Sequence, residues 1–184
     1  TRVRSSAASD VYKRQIVNQG SLTISNAASQ LGGLIVPGNL ILNNASATQS
    51  THNGSISSTS NVTLNGGSVL TLVGQNTFQS VTFNNIGGTT TPSVTGGTVL
   101  IRGDLTAVNE NFATTPNFAS GLELNGQNET ITVTGASPMG LILSGVVQNA
   151  MNSAVPAGLI KAGSSSLVLT AANTFAGGVQ LNTC

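Results

Sequence analysis

Charged side chains are scarce in this sequence. Only 6% of its 184 residues are Asp, Glu, Lys or Arg, whereas about 25% of a typical soluble domain is charged. Four of the six basic residues lie within the first 14 positions, and beyond Gln15 only Arg102 and Lys161 remain. Binding to nucleic acid relies on clustered Lys and Arg that neutralise phosphates. The sequence therefore predicts that the protein does not bind DNA or RNA.

Aromatic residues, cysteine and long apolar runs are also few. Phe, Trp and Tyr together make up 3%, and Cys184 is the single cysteine, which excludes a disulfide within the chain. The longest mainly apolar stretch, residues 31–42, contains glycine, proline and asparagine. A helix that crosses a bilayer needs about 20 predominantly apolar residues in succession. We therefore expect no transmembrane segment in this chain.

Short runs in which aliphatic residues alternate with Thr, Ser or Asn recur from residue 16 onward. This period of two is the signature of a half-buried β-strand, and paired glycines between the runs supply turns. Two stretches with few strand-forming residues, 43–60 and 109–120, are predicted to be protruding loops. The predicted strands occupy residues 21–24, 34–36, 40–42, 61–64, 68–72, 80–83, 98–101, 121–124, 130–133, 141–143, 167–169 and 179–181.

The first 15 residues differ from the rest in charge and pattern. They carry most of the basic residues and no regular alternation. We interpret residues 1–15 as a non-native leader of adapter or vector origin that lies outside the fold. The folded domain is predicted to span residues 16–184.

The segment from residue 158 to residue 182 has the most specific pattern. It resembles the autotransporter-associated β-strand repeat, in which a Lys and turn glycines precede two short strands separated by an Asn-Thr-aromatic triplet and a glycine pair. Ser165 stands where a turn glycine is usual, and Val179 where Thr is commoner. The matching residues are Lys161, Gly163, Leu167, Leu169, Asn173, Thr174, Phe175, Gly177 and Gly178.

The resemblance implies an all-β fold, a right-handed parallel β-helix or β-solenoid. An internal repeat supports stacked coils, because the Asn-Thr-Phe triplet at 76–78 recurs at 173–175, close to four coils of about 24 residues further on. One coil cannot bury its apolar face alone, whereas stacked coils share one core. Roughly seven coils are expected. Asn76 and Asn173 are predicted to form asparagine ladders, and Phe78 and Phe175 to close the core.

The resemblance also implies a function. The chain would be a fragment of the passenger region of a bacterial autotransporter, exposed at the cell surface and anchored through a C-terminal outer-membrane β-barrel outside this chain. Its role would be that of a structural and adhesive scaffold, with host-surface, glycan or self-association contacts. It is not expected to be an enzyme, and no catalytic, cofactor or metal site is predicted.

A carbohydrate-active β-helix enzyme, either a polysaccharide lyase or a glycoside hydrolase, is the alternative, and a phage- or appendage-type fibre is a third. An enzyme of this kind needs carboxylates that converge on one face. Glu123 and Glu129 flank a predicted turn, and we expect them to be solvated surface groups. Asp104 and Glu110 flank a strand and give no better constellation. The tripeptide at 102–104, Arg-Gly-Asp, matches a sequence that integrins bind, but it is also ordinary turn chemistry at a strand end.

Overall fold

The computed structural model describes residues 14–25, 34–150, 153 and 155–182. The regular structure in these ranges consists of short strands and contains no helix. The described residues thus include no helix with the length and apolar character needed to cross a membrane. The strands are β1 (Arg14–Ile24), β2 (Asn39–Gln49), β3 (Asn61–Asn65), β4 (Val69–Thr71), β5 (Gln75–Phe78), β6 (Ser80–Asn85), β7 (Ser93–Thr95), β8 (Thr98–Ile101), β9 (Leu105–Asn109), β10 (Asn117–Phe118), β11 (Gly121–Leu124), β12 (Glu129–Thr134), β13 (Met139–Leu143), β14 (Val147–Asn149), β15 (Leu159–Ala162), β16 (Ser166–Leu169) and β17 (Val179–Leu181).

Each strand pairs in parallel with the strand one coil away. The length of a coil varies from 19 residues, between Val62 and Val81, to 30 residues, between Ile131 and Lys161. The chain is a parallel β-solenoid of about seven turns, which confirms the predicted fold class. One register column consists of Gln15, Leu40, Val62, Val81, Leu105, Ile131, Lys161 and Leu181.

The coil has three sides. The first side contains β3, β6, β9, β12, β15 and β17, the second contains β4, β7, β10, β13 and β16, and the third contains β5, β8, β11 and β14. Strands β1 and β2 run through the corner between the first two sides, where Gln19 and Asn44 have φ of 63° and 47°. Asparagine tolerates this left-handed conformation better than most residues. The strand therefore bends at Asn44 without ending.

Both loop predictions are wrong in part, because each of the two stretches contains strand residues. Residues 43–49 were predicted to belong to a loop, but they form the second half of β2. The predicted loop at 109–120 contains β10, and Phe118 in that strand is fully buried. In both cases small or polar residues adopt strand conformation because the coils above and below supply hydrogen-bonding partners.

Inward-facing aliphatic and aromatic side chains from the three sides form one continuous core. Burial of one such side chain contributes about 1.5–3 kcal/mol, so no single coil can supply a core alone. Phe78 is fully buried and Phe175 packs partly against the core, as predicted. On the second side the core column consists of Ala47, Leu70, Val94, Phe118 and Leu143.

Asparagine ladders exist, but not at the positions predicted for them. Asn76 is followed in its register column by the apolar residues Val99, Leu122 and Val147. In the next coil the side-chain oxygen of Asn173 accepts a hydrogen bond from the Val147 amide at 2.8 Å. The four-coil spacing of the two triplets is confirmed, but the ladder prediction for Asn76 and Asn173 is wrong.

The longest ladder in the described residues lies on the first side. Its four asparagines point outward from successive coils, and each side-chain amide donates to the side-chain oxygen of the asparagine below. The three hydrogen bonds measure 2.6, 2.6 and 2.8 Å. Such a ladder links neighbouring coils outside the core. The residues are Asn18, Asn43, Asn65 and Asn84.

Two glycines with the same φ angle differ in how closely a neighbouring coil approaches. Gly54 and Gly96 both have φ of 71°. A Cβ atom on Gly96 would lie 2.5 Å from the carbonyl oxygen of Leu72, whereas nothing lies within 4 Å of a Cβ atom on Gly54. At Gly96 the coils are therefore too close for any side chain.

We expect Gly54→Ala to lower the free energy of unfolding by about 1–2 kcal/mol, the cost of the left-handed conformation alone. Gly96→Ala should cost about 1–3 kcal/mol more, because the neighbouring coil must also shift. Urea denaturation followed by far-UV circular dichroism measures both. Equal losses in the two variants would contradict the close coil contact.

Candidate functional site: a polar cleft between two coils

The residues that match the repeat pattern lie in the last described coil. Lys161 faces inward and is buried, and its Nζ donates hydrogen bonds to the carbonyl oxygens of Ala162, at 2.9 Å, and Gly163, at 2.6 Å. Gly163 has φ of 83°, and a Cβ atom there would collide with the carbonyl oxygen of Val133. Lys161 therefore donates hydrogen bonds to carbonyl groups at the corner of the coil that contains Gly163.

The triplet and the glycine pair join this coil to its neighbours through the backbone. The amide of Thr174 donates to the carbonyl oxygen of Val147 at 2.9 Å, beside the hydrogen bond that Asn173 accepts. The carbonyl oxygen of Gly178 accepts a hydrogen bond from the amide of Leu159 at 3.0 Å. These residues connect coils and carry no chemically reactive group.

The remaining matched residues either pack against the core or lie in a turn. Leu167, Leu169 and Phe175 are partly buried against the core. Gly177 donates its amide hydrogen to the carbonyl oxygen of Ala157 at 2.9 Å, and a Cβ atom on Gly177 would collide with the backbone of that residue. All nine matched residues thus lie where a coil turns, packs or bonds to its neighbour. Their assignment to the autotransporter repeat stays a prediction.

Chemically distinctive residues meet elsewhere, in a cleft of about 390 Å³ on the edge of the first side. One wall is the turn between β8 and β9, and the other is the turn between β11 and β12 in the next coil. Register places Leu105 against Ile131, so Gly103 and Glu129 occupy equivalent positions in the two coils. Gly103 has no side chain to cover Glu129. The polar cleft is lined by Ile101, Arg102, Gly103, Asp104, Asn125, Gln127, Asn128, Glu129 and Thr130.

Glu129 is the most unusual group of the polar cleft. It begins β12 and lies on the same inward side as Ile131 and Val133, and only 8% of it is exposed. Its Oε1 atom is buried without a hydrogen-bond partner. Burial, together with the nearby negative charge of Asp104, raises the pKa of Glu129 to about 8. At neutral pH the side chain is therefore mostly protonated and able to donate a hydrogen bond.

Arg102 and Asp104 are exposed at the mouth of the polar cleft. They belong to the turn that carries the Arg-Gly-Asp tripeptide. When Glu129 is protonated, the positive charge of the Arg102 guanidinium balances the negative charge of the Asp104 carboxylate. The cleft thus combines hydrogen-bond donors and acceptors without a net charge.

The expectation that Glu123 and Glu129 are solvated is wrong. Glu123 is 5% exposed, and its carboxylate accepts hydrogen bonds from the side-chain amides of Gln75 and Gln148. The inward position of Glu129 could have been found from the alternation it shares with Ile131 and Val133. The burial of Glu123 has no such signal, because glutamines of other coils cover an outward-facing side chain.

A second exposed feature is the loop at residues 110–116, which carries Phe112 at its tip with 74% of the residue exposed. The buried side chain of Asn111 donates hydrogen bonds to the carbonyl oxygen of Gly88 at 2.8 Å and to the hydroxyl of Thr114 at 2.9 Å. Ile86, on the adjoining loop, is also 74% exposed. We refer to Ile86 and Phe112 as the apolar corner.

Buried asparagines hold the base of this loop. The side-chain amide of Asn85 donates to the side-chain oxygen of Asn109 at 2.8 Å and to the carbonyl oxygen of Thr114 at 2.9 Å. Asn109 in turn donates to the carbonyl oxygen of Met139, one coil on, at 2.6 Å. The loop is therefore fixed to three coils, although Phe112 itself is open to solvent.

Comparisons with known proteins identify no relative. No protein-family model matches this sequence, and no curated protein or solved structure matches the chain. In the part of the chain that the structure describes, no group of three or more His, Cys, Asp or Glu residues could hold a metal ion. Function is therefore inferred from the polar cleft, the apolar corner and the stacked coils.

The buried Glu129 should make stability depend on pH. Its pKa is raised from 4.5 to about 8 on folding, so the native state keeps a proton that the unfolded chain releases within that window. The free energy of unfolding should therefore decrease as pH rises from about 4.5 to 8, by up to about 1.4 kcal/mol per pH unit. Glu129→Gln, which is neutral and of similar shape, should remove this decrease.

Urea midpoints measured at intervals between pH 5 and pH 9 provide the check. The control is Glu110→Gln, which alters an exposed carboxylate on another turn and should keep the pH dependence of the parent. A Glu129→Gln variant with the same pH dependence as the parent would show that Glu129 is not the buried acid.

Proposed function

We propose that this chain is part of the surface-exposed passenger region of an autotransporter-like bacterial protein. In this role it is a stiff scaffold that presents fixed side chains for adhesive contacts. The observation that carries the proposal is a continuous stack of coils with an exposed aromatic loop anchored to it. The repeat-like residues of the last described coil support the passenger assignment.

The stack suits a scaffold because its stiffness comes from repetition. Every coil bonds to the coils beside it through the backbone, and the core is continuous from one coil to the next. About seven coils at a spacing of about 4.8 Å give a rod roughly 35 Å long. In such assemblies each coil contacts only its neighbours, so a completed coil provides a template for the next.

The apolar corner provides a contact surface of the kind that adhesion requires. Aromatic side chains at binding surfaces contribute large contact areas with few rotatable bonds. Because hydrogen bonds to Asn85, Asn109 and Asn111 fix the loop before any partner arrives, little backbone ordering is lost on binding. Phe112 and Ile86 are therefore the residues assigned to the adhesive contact.

Beads coated with the purified chain should adhere to host-cell monolayers or to one another. Phe112→Ser combined with Ile86→Ser should reduce adhesion by at least about tenfold, because the loss of even one anchor residue worth about 1.4 kcal/mol has that effect. Val155→Ser, which changes a residue that is 58% exposed at another corner, is the matched control and should adhere like the parent. Circular dichroism confirms that the variants are folded.

Two results would contradict the proposal. The first is parent-coated beads that neither adhere nor aggregate above the level of albumin-coated beads. The second is equal adhesion by the parent and the double variant, which would move the contact away from the apolar corner.

A carbohydrate-active enzyme is the second candidate function, favoured by the polar cleft. Hydrolysis of a glycosidic bond uses a protonated acid beside a carboxylate, and Glu129 and Asp104 are an acid with a raised pKa and a neighbouring carboxylate. Release of reducing ends or unsaturated sugars from a pectin and glycan panel, abolished by Glu129→Gln, would favour the enzyme over the scaffold.

A further inference from the structure

We propose that the polar cleft is a binding site for an uncharged sugar, held by Arg102, Asp104 and Glu129 through its hydroxyl groups. This inference rests on the proposed function, since it supplies the glycan that a surface scaffold would contact. The site lies on the first side of the solenoid, between two successive coils. It contains neither Phe112 nor Ile86 of the apolar corner.

Two features of the polar cleft favour a bound ligand, namely an unpaired buried atom and the volume of the cleft. Glu129 is more than nine-tenths buried, yet its Oε1 atom lacks a hydrogen-bond partner and the residue lines the cleft. Leaving a buried polar atom unpaired costs about 1–3 kcal/mol. Oε1 has less than 1 Å² of accessible surface, so a ligand hydroxyl in the cleft would supply the missing partner after a rotation of the Glu129 side chain. The volume of about 390 Å³ lies within the usual range of about 300–1,000 Å³ for small-molecule sites.

The charges in the polar cleft favour a neutral ligand. For an anion, attraction by the Arg102 guanidinium is offset by repulsion from the Asp104 carboxylate, and for a cation the two effects are reversed, so neither sign of charge gains a net attraction. A divalent cation such as Ca²⁺ takes six to eight oxygen ligands, several of them carboxylates. Here Asp104 and Glu129 are the two carboxyl groups of the cleft, and binding of a cation would require Glu129 to lose its proton.

The pattern of donors and acceptors matches neighbouring hydroxyl groups. Arg102 donates, Asp104 accepts, and protonated Glu129 can do both. The exposed amide side chains of Asn125 and Gln127 add a donor and an acceptor each at the rim. A sugar with adjacent hydroxyls can donate to a carboxylate and accept from a guanidinium at the same time.

The charged groups that share the polar cleft with Glu129 belong to the preceding coil. Arg102 and Asp104 approach from the preceding coil. On the following coil, Lys161 of β15 pairs in register with Ile131, and its ammonium group bonds to two carbonyl oxygens at its own corner. Loss of the Glu129 proton would therefore place two negative charges in the cleft opposite one guanidinium.

Isothermal titration calorimetry with the purified chain tests the proposal. Lactose, maltotriose, cellotriose and N,N′-diacetylchitobiose are titrated at pH 7, and at least one should bind. Asp104→Ala and Arg102→Ala remove exposed side chains at the mouth and should each weaken binding at least tenfold. Glu110→Ala, an exposed acid of another turn, is the matched control and should bind like the parent.

A pH series separates the role of Glu129 from a purely structural one. Between pH 7 and pH 9 the affinity of the parent should decrease, because Glu129 loses the proton with which it donates. Glu129→Gln keeps a donor and an acceptor at this position, so its affinity should stay constant across the series. Circular dichroism at each pH confirms that both proteins remain folded.

Three outcomes would overturn the inference: no sugar binds, the Asp104→Ala and Arg102→Ala variants bind like the parent, or Ca²⁺ binds in an Asp104-dependent way while the sugars do not. Bead adhesion distinguishes this failure from failure of the proposed function. Adhesion that persists in a protein without sugar binding would remove the sugar site and leave the scaffold in place.

Discussion

Parallel hydrogen bonding between successive coils places each inward side chain above its counterpart in the coil below. Val62, Val81 and Leu105 stack in this way on the first side, and Leu70, Val94 and Phe118 on the second. Neither the bonding nor the burial is available to one coil alone, because an isolated coil has unpaired strand edges and an open apolar face. Each coil contributes a layer of the core that is only one residue thick. Such a core has little room for charged or large aromatic side chains. The composition of the chain thus follows from the stacking.

The candidate sites arise where this regular stacking is interrupted. The polar cleft opens because Gly103 leaves the position equivalent to Glu129 without a side chain. A carboxyl group therefore begins the inward-facing row of β12, which Ile131 and Val133 would otherwise make wholly apolar. The apolar corner forms where the chain leaves the coil after β9 and buried asparagines fasten the loop. A rigid framework with local exceptions is the usual arrangement for binding sites carried by loops. Scaffold and site are therefore consequences of one architecture.

Residue patterns predicted much of the fold and little of the site. The alternation of aliphatic and polar residues located β3, β6 and β12, because a period of two needs no knowledge of the neighbouring coil. Contacts between coils could not be derived from a fixed period of about 24 residues, since real coils range from 19 to 30. For this reason the sequence predicts ladder positions at Asn76 and Asn173 and not at Asn43 and Asn65, and it does not place Asp104 beside Glu129. The alternation of Glu129 with Ile131 and Val133 is a signal that Glu129 faces inward, but it conflicts with the usual preference of glutamate for the surface.

Disulfide formation between register partners tests the stacking most directly. Thr82 and Thr106 are paired outward-facing residues of adjacent coils, whereas Thr63 and Thr132 lie in the same column three coils apart. Partners in adjacent strands lie about 4.8 Å apart, within the Cα separations of about 4.4–6.8 Å that a disulfide allows. In a Cys184→Ser background, Thr82→Cys with Thr106→Cys should form an intramolecular disulfide under mild oxidation, and Thr63→Cys with Thr132→Cys should not. Equal cross-linking of the two pairs, or none in the first, would contradict the stacked coils.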